Sequence, residues 1–448
     1  MSATDQRSRI SRLLEHARDI DMGSTAFYKF MGLGLGIVAN LGAVAIMTRR
    51  FGVEEYAAYA LLTSFLFLLP FADLGIGASV INVTSDFKSG FLSGKNVSAH
   101  VGKCFSILVI VGVLIVVLSL VAWETNGWQV ILGSIGEVPS ASFAATFTVV
   151  CIAFSLPFGL GSRIIQGLGK VRANVQLGLL TPVISMSMLF ALLLGDSRVG
   201  FFLLVPGISF LTVTVVTFFC ALKLSGLGLP TGPKSWFAYK NDDYSIHRVA
   251  IPFFFISVGT AIGLQSHRLL LAHFGDASAV ASYSLVAQFA GPLVAVLVTT
   301  GQNLWSRYRI HSSVDKTISM FREHVILFGT LGLSAAFLLW STVSLSSRFL
   351  TDGKVQVSPI LLLAAISYLI VVSLHQPGAM YLTSPGGLTR QAVMVIIMSA
   401  VTMVGIFILY PVLSAASTYT AAALSMLVIQ VVPTWIFVNS TMKRISSP

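Results

Sequence analysis

Wound as a helix at about 100° per residue, Ser257, Thr260, His267 and Arg268 share an arc of about a quarter-turn among Phe, Ile, Leu and Ala. A guanidinium and an imidazole on one stripe of an oily segment could line a polar cavity. The arginine could grip a phosphate there by two parallel hydrogen bonds. A second reading stays open, because Phe274-Gly275 ends the run a few residues on and Arg268 could snorkel to the headgroups.

The other chemistry-bearing residues are few. Asp73 lies inside an apolar run beside Gly75 and Gly77, and reads either as a proton or cation coupling site or as a structural acid at a break made with Pro70. Arg49 and Arg50 sit in a short turn next to Glu54 and Glu55, as local ion pairs or as cations at a cavity mouth. His375 precedes Gln376-Pro377, and reads as a polar lining at a kink or as a histidine packed between helices. Arg163, Lys170, Arg307 and Arg309 could attract a polyanionic headgroup. A charge at bilayer depth costs about 2.5–3.5 kcal/mol even on lenient scales, so each such residue is a functional candidate.

Enzyme chemistry has little support. There is no phosphate-cradling glycine loop ending in Lys-Ser or Lys-Thr, no His-Glu-x-x-His and no paired-carboxylate motif. Cys104, Cys151 and Cys220 lie in apolar runs without metal-ligand spacing, so neither a metal site nor a cofactor is expected. Extramembrane stretches are too short for a soluble catalytic domain. A polysaccharide polymerase would need a large outer loop with basic and acidic residues, and the 124–142 connection has Glu124 and Glu137 but no Lys or Arg.

The elements that must hold these residues are membrane helices. The chain is 55% hydrophobic and 10% charged over 448 residues, against roughly 25% charged in a soluble domain. A span needs about 20 apolar residues, and twelve candidates begin near Tyr28, Tyr56, Cys104, Phe143, Ala173, Gly200, Arg248, Ala279, Val325, Ile360, Ala392 and Tyr419. The polar N-terminus is not a signal peptide, and Ile10, Leu13, Leu14 and Ala17 suit a helix lying on the membrane surface. With the N-terminus inside, 22 of the 28 Lys and Arg residues fall on the cytoplasmic side and 5 outside, leaving Arg268 in a span. The net charge of +11 is therefore topology rather than nucleic-acid binding.

A motif recurs about half a chain apart. Arg49-Arg50-Phe51-Gly52, with Tyr59 after it, is echoed by His273-Phe274-Gly275 with Tyr283 after it. Each copy reads apolar run, Phe-Gly, short turn, Tyr among small residues, apolar run, which suggests duplication. The expected fold is an all-α membrane protein of twelve transmembrane helices, in two six-helix halves forming parallel repeats. Residues 1–22 form the surface helix, 23–222 the N-lobe, 223–247 a cytoplasmic linker rich in Gly and Pro, and 248–448 the C-lobe.

The first motif, with Asp73-Leu74-Gly75-Ile76-Gly77, resembles the first helix pair of the bacterial polysaccharide (O-antigen type) flippases. These belong to the multidrug/oligosaccharidyl-lipid/polysaccharide exporter superfamily. His267-Arg268-Leu269-Leu270-Leu271 through Tyr283 is similar to their seventh and eighth helices, and Gln166-Gly167-Leu168-Gly169-Lys170 resembles the turn after their fourth. The resemblance implies that the twelve helices form two six-helix lobes around a central cavity, that the cavity is cationic, and that there is no metal or nucleotide site. It also implies flipping of an undecaprenyl-pyrophosphate-linked oligosaccharide between leaflets of the bacterial inner membrane by alternating access. Partners would be the lipid-linked substrate, the bilayer, an H+ or Na+ gradient and polysaccharide-assembly proteins. Many relatives carry an acid just before the arginine, where this chain has His267. The alternative within the superfamily is a cation-coupled drug or metabolite exporter.

Overall fold

A computed structural model describes residues 31–66, 76–228, 266–302, 314–382 and 385–446, with 28, 259, 263 and 304 as single residues. The chain is a multi-span helical membrane protein, and ten described helices are long and apolar enough to cross a bilayer. They are α1 (Met31–Arg50), α4 (Gly94–Glu124), α6 (Ala141–Gly167), α7 (Val171–Leu194), α8 (Val199–Ser225), α10 (Ala277–Gln302), α11 (Val314–Thr351), α12 (Pro359–Tyr381), α13 (Pro385–Leu413) and α14 (Ala416–Val438). Two more of the expected spans are described in part. The second is α2 (Val53–Phe65) and α3 (Ile76–Lys88), on either side of residues 67–75. The seventh shows its last turns as α9 (His267–Phe274). The short α5 (Gly127–Leu132) lies between α4 and α6.

Span starts follow the hydropathy closely, except that α4 and α11 begin about ten residues before Cys104 and Val325. Their first turns carry Lys95, Lys103, Lys316 and Arg322. Helical hydrogen bonding continues past the apolar stretch because nothing stops it at the headgroups. Only hydropathy ends there. Proline acts locally: α6 steps at Gly159 after Pro157, and α14 contains one π turn, Leu427–Val431, just before Pro433.

The two ends of the bundle differ in how the lobes meet. We call the end where α14 finishes the terminal end, and the opposite one the distal end. One apolar cluster runs from the distal end to mid-depth and mixes the lobes, with Met47, Tyr56, Leu132 and Ile135 from the first beside Leu271, Val280, Leu361 and Tyr419 from the second. Toward the terminal end, one cluster stays within the first six spans (Ile76 to Leu227). Another there stays within the last six, around Phe321 and Val438.

Close helix approach is set by glycine. A Cβ on Gly161 of α6 would lie 2.4 Å from the Phe218 Cα of α8 and 2.7 Å from its nitrogen. Gly161→Val is therefore expected to cost about 1–3 kcal/mol or more, read as a lowered midpoint of thermal unfolding in detergent. An unchanged midpoint would mean these helices do not pack as described.

Candidate functional site

The repeated Phe-Gly motif builds the seam between the lobes, and its two glycines are there for different reasons. Gly52 has φ +134, a conformation L side chains rarely adopt. Gly275 is extended, but a Cβ there would meet the Tyr410 hydroxyl at 2.3 Å. Each turn sends its next helix, α2 or α10, into the seam, where these two helices pack on one another.

Arg268 sits between them. Its Nε donates to the Ser284 hydroxyl of α10 at 3.0 Å. The guanidinium is half-buried and has no carboxylate partner among the described residues. Tyr56, Tyr283 and Tyr419, from α2, α10 and α14, lie within electrostatic reach of it. The Tyr56 hydroxyl is fully buried and makes no hydrogen bond among the described residues. The repeat pairs Tyr283 with Tyr59, whereas the tyrosine of α2 within electrostatic reach of the arginine is Tyr56, about one turn earlier. Tyr56, Tyr368, Tyr419 and Ser284 were not singled out from sequence, because the signal was a tyrosine repeat of uncertain register.

His267 is not exposed beside Arg268. It is 2% exposed, with Nε2 2.9 Å from the Gly263 carbonyl and Nδ1 2.9 Å from the Tyr283 hydroxyl. A carbonyl only accepts, so Nε2 carries the proton, and in the neutral ring Nδ1 accepts from Tyr283. The Tyr283, Tyr419 and Tyr368 rings continue the row at 5.0 and 5.5 Å. The stripe read as two cations is thus one guanidinium supported by a histidine–tyrosine wall.

The two adjacent arginines cap different helices at the distal end. Arg49 bonds Asp352 at 3.2 Å and the carbonyls of Phe349 and Leu350, which close α11 in the other lobe. Lys354 returns the contact to the Thr48 and Arg49 carbonyls, both at 3.1 Å. Arg50 stays in its own lobe, paired with Asp196 and bonded to the Leu193 carbonyl that ends α7. Their ion pairs are with Asp352 and Asp196, not with the sequence neighbours Glu54 and Glu55. Cations are favoured at helix C-termini, and both acids sit at left-handed φ just past a helix end.

Of the remaining candidates, His375, Lys170 and Arg163 are described, and none of them is paired with Arg268 among the described residues. His375 Nδ1, Gln376 Oε1, Thr434 Oγ1 and Trp435 Nε1 are buried with no hydrogen-bond partner among the described residues; Gln376 Oε1 lies toward Gly301 of α10, and Thr434 and Trp435 of α14 pack toward Gly378 of α12. Lys170 caps the Leu224 carbonyl at the end of α8 at 3.1 Å, and Arg163 lies near the terminal end of α6. Ser257, Thr260, Asp73, Arg307 and Arg309 lie outside the described residues.

A family model described as polysaccharide biosynthesis protein matches residues 23–305. No curated protein matches the chain. Among solved structures, it is similar to an inward-facing multidrug resistance MATE transporter of the MOP superfamily, with TM-score 0.67, 13% identity and coverage of 94% of this chain and 100% of that one. An outward-facing MATE transporter gives TM-score 0.61, 12% identity and 96% coverage of both chains. The lipid II flippase MurJ, inward closed, gives TM-score 0.58 and 14% identity, covering 93% of this chain and 87% of that one. At these identities the likeness is one of fold.

Proposed function

Because the chain belongs to the polysaccharide biosynthesis protein family, we propose that it flips undecaprenyl-pyrophosphate-linked oligosaccharide from the cytoplasmic to the periplasmic leaflet of a bacterial inner membrane. The observation that carries this reading is Arg268, half-buried between the lobes with no carboxylate to neutralise it. A guanidinium in that position costs several kcal/mol unless an anion arrives. A pyrophosphate supplies that anion, and the polyprenyl tail stays in lipid while the head passes between the lobes.

Both termini are cytoplasmic in this reading, on the distribution of Lys and Arg. The distal end is then the periplasmic gate, closed by the Arg49–Asp352 and Lys354 contacts. Alternating access moves the head past Arg268 as this gate opens. An H+ or Na+ gradient would drive the cycle, with Asp73 as the acid available for coupling, and assembly proteins would consume the product.

Deleting the gene should make lipid-linked oligosaccharide accumulate on the cytoplasmic leaflet, measured by leaflet-resolved labelling of the sugar head. Accumulation on the periplasmic leaflet, or none, would remove the reading. The MATE fold likeness favours a second one, a drug exporter. That reading requires the same deletion to raise retention of fluorescent cations, with lipid-linked sugars unchanged.

A further inference from the structure

Of the three tyrosines within electrostatic reach of Arg268, two have already committed their protons. The Tyr283 hydroxyl lies 2.9 Å from His267 Nδ1, and the other nitrogen of that ring donates to the Gly263 carbonyl. In the neutral ring Nδ1 can only accept, so Tyr283 gives it its one proton. The Tyr419 hydroxyl is bonded to that of Tyr283. With the Tyr283 proton spent, Tyr419 is the donor in that bond. Tyr56 differs. It is 0% exposed, and its hydroxyl has neither donor nor acceptor among the described residues.

Such a hydroxyl works against the fold. A buried polar group without a partner costs stability, and a phenylalanine of the same shape would fill the seam without that cost. Tyr56 belongs to the apolar cluster where the lobes meet, on the helix that packs against α10. The guanidinium has a matching need from the opposite lobe. Its Nε is spent on Ser284, and it has no carboxylate partner among the described residues. A hydroxyl and a guanidinium both donate, and one anion with several oxygens between them would satisfy both. The hydroxyl is fully buried while α2 and α10 touch, so a ligand reaches it when these helices part.

We propose that Tyr56 is the second donor to the anion that Arg268 holds, its hydroxyl bonding an oxygen of a diphosphate group from the first lobe while the guanidinium holds that group from the second. This assignment rests on the flipping role argued above and gives the diphosphate a contact in each lobe. The test measures binding of inorganic pyrophosphate and of undecaprenyl pyrophosphate to the full-length protein in detergent, by calorimetry, with the unfolding midpoint taken without ligand. Tyr56→Phe should weaken both ligands by about 10- to 150-fold, the scale of one hydrogen bond to a charged group. Its midpoint should stay the same or rise, because an unpaired buried hydroxyl has gone. A fall in the midpoint would mark a structural tyrosine and overturn the assignment. Tyr59→Phe, about one turn further along α2, should leave both affinities alone, and an equal loss there would mean repacking of α2 instead. Unchanged affinities in Tyr56→Phe beside a large loss in Arg268→Ala would overturn the Tyr56 contact alone. Weakening of the lipid but not of inorganic pyrophosphate would put the hydroxyl on another part of the ligand and overturn it too. No effect of Arg268→Ala, or no binding of either diphosphate by the unaltered protein, would remove the flipping role together with it.

Discussion

Arg268→Ala should lower the flipping rate of lipid-linked oligosaccharide by about 100- to 1,000-fold, the value of two charge-assisted hydrogen bonds to a phosphate. The rate is to be measured in proteoliposomes at matched protein content. Arg268→Lys should keep part of it, about a tenth, since a lysine supplies the charge without the planar fork. Arg268→Met separates ligand binding from structure. The arginine makes one side-chain hydrogen bond, to Ser284, and no ion pair among the described residues. Exchanging an uncompensated charge for an apolar chain of similar length should therefore leave the unfolding midpoint unchanged or higher. A structural arginine would show the opposite pattern, with the midpoint falling and the residual protein still active. Normal flipping by the alanine variant would remove this residue from the mechanism.

The second large effect is expected at Gly133. Its φ is +58, and a Cβ there would lie 2.3 Å from the Ala272 carbonyl oxygen and 2.8 Å from its carbon, both backbone atoms of the opposite lobe. Nothing flexible can give way. Gly133→Val should therefore oppose distal closure by about 1–3 kcal/mol of overpacking, the left-handed strain acting on the turn itself in the open and closed states alike. With spin labels on Glu124→Cys and Ser278→Cys, exposed positions on the two lobes, the open population should grow by about 5- to 150-fold. Gly90→Val is the control, because Gly90 has φ +80 and open space around it. It carries the strain without the clash and should leave the lobe distance alone. A closed distribution in Gly133→Val, or an equal shift in Gly90→Val, would mean that the seam is not limited by this contact.

These variants probe different things: Arg268 whether an anion is held between the lobes, Gly133 whether the lobes close on each other. A protein with Gly133→Val should lose transport while keeping its arginine.

Hydropathy and charge placement were enough, from the sequence, for the helical class, the membrane and the count of spans, because both follow from the transfer free energy of a 20-residue window and need no knowledge of neighbours. The Phe-Gly repeat likewise located the turns that form the seam, and Arg268 stood out as the one cation left in a span. Partners were another matter. Arg49 pairs with Asp352 some 300 residues away rather than with Glu54, and His267 turns inward to Gly263 and Tyr283 instead of lining a stripe with Arg268. His273, which sequence treated only as part of a turn, bridges two carbonyls of different lobes. A wheel or a window reports which face of a helix is polar. Which atoms meet depends on the rotation and depth of each helix against the others, and the packing of the two lobes alone decides that.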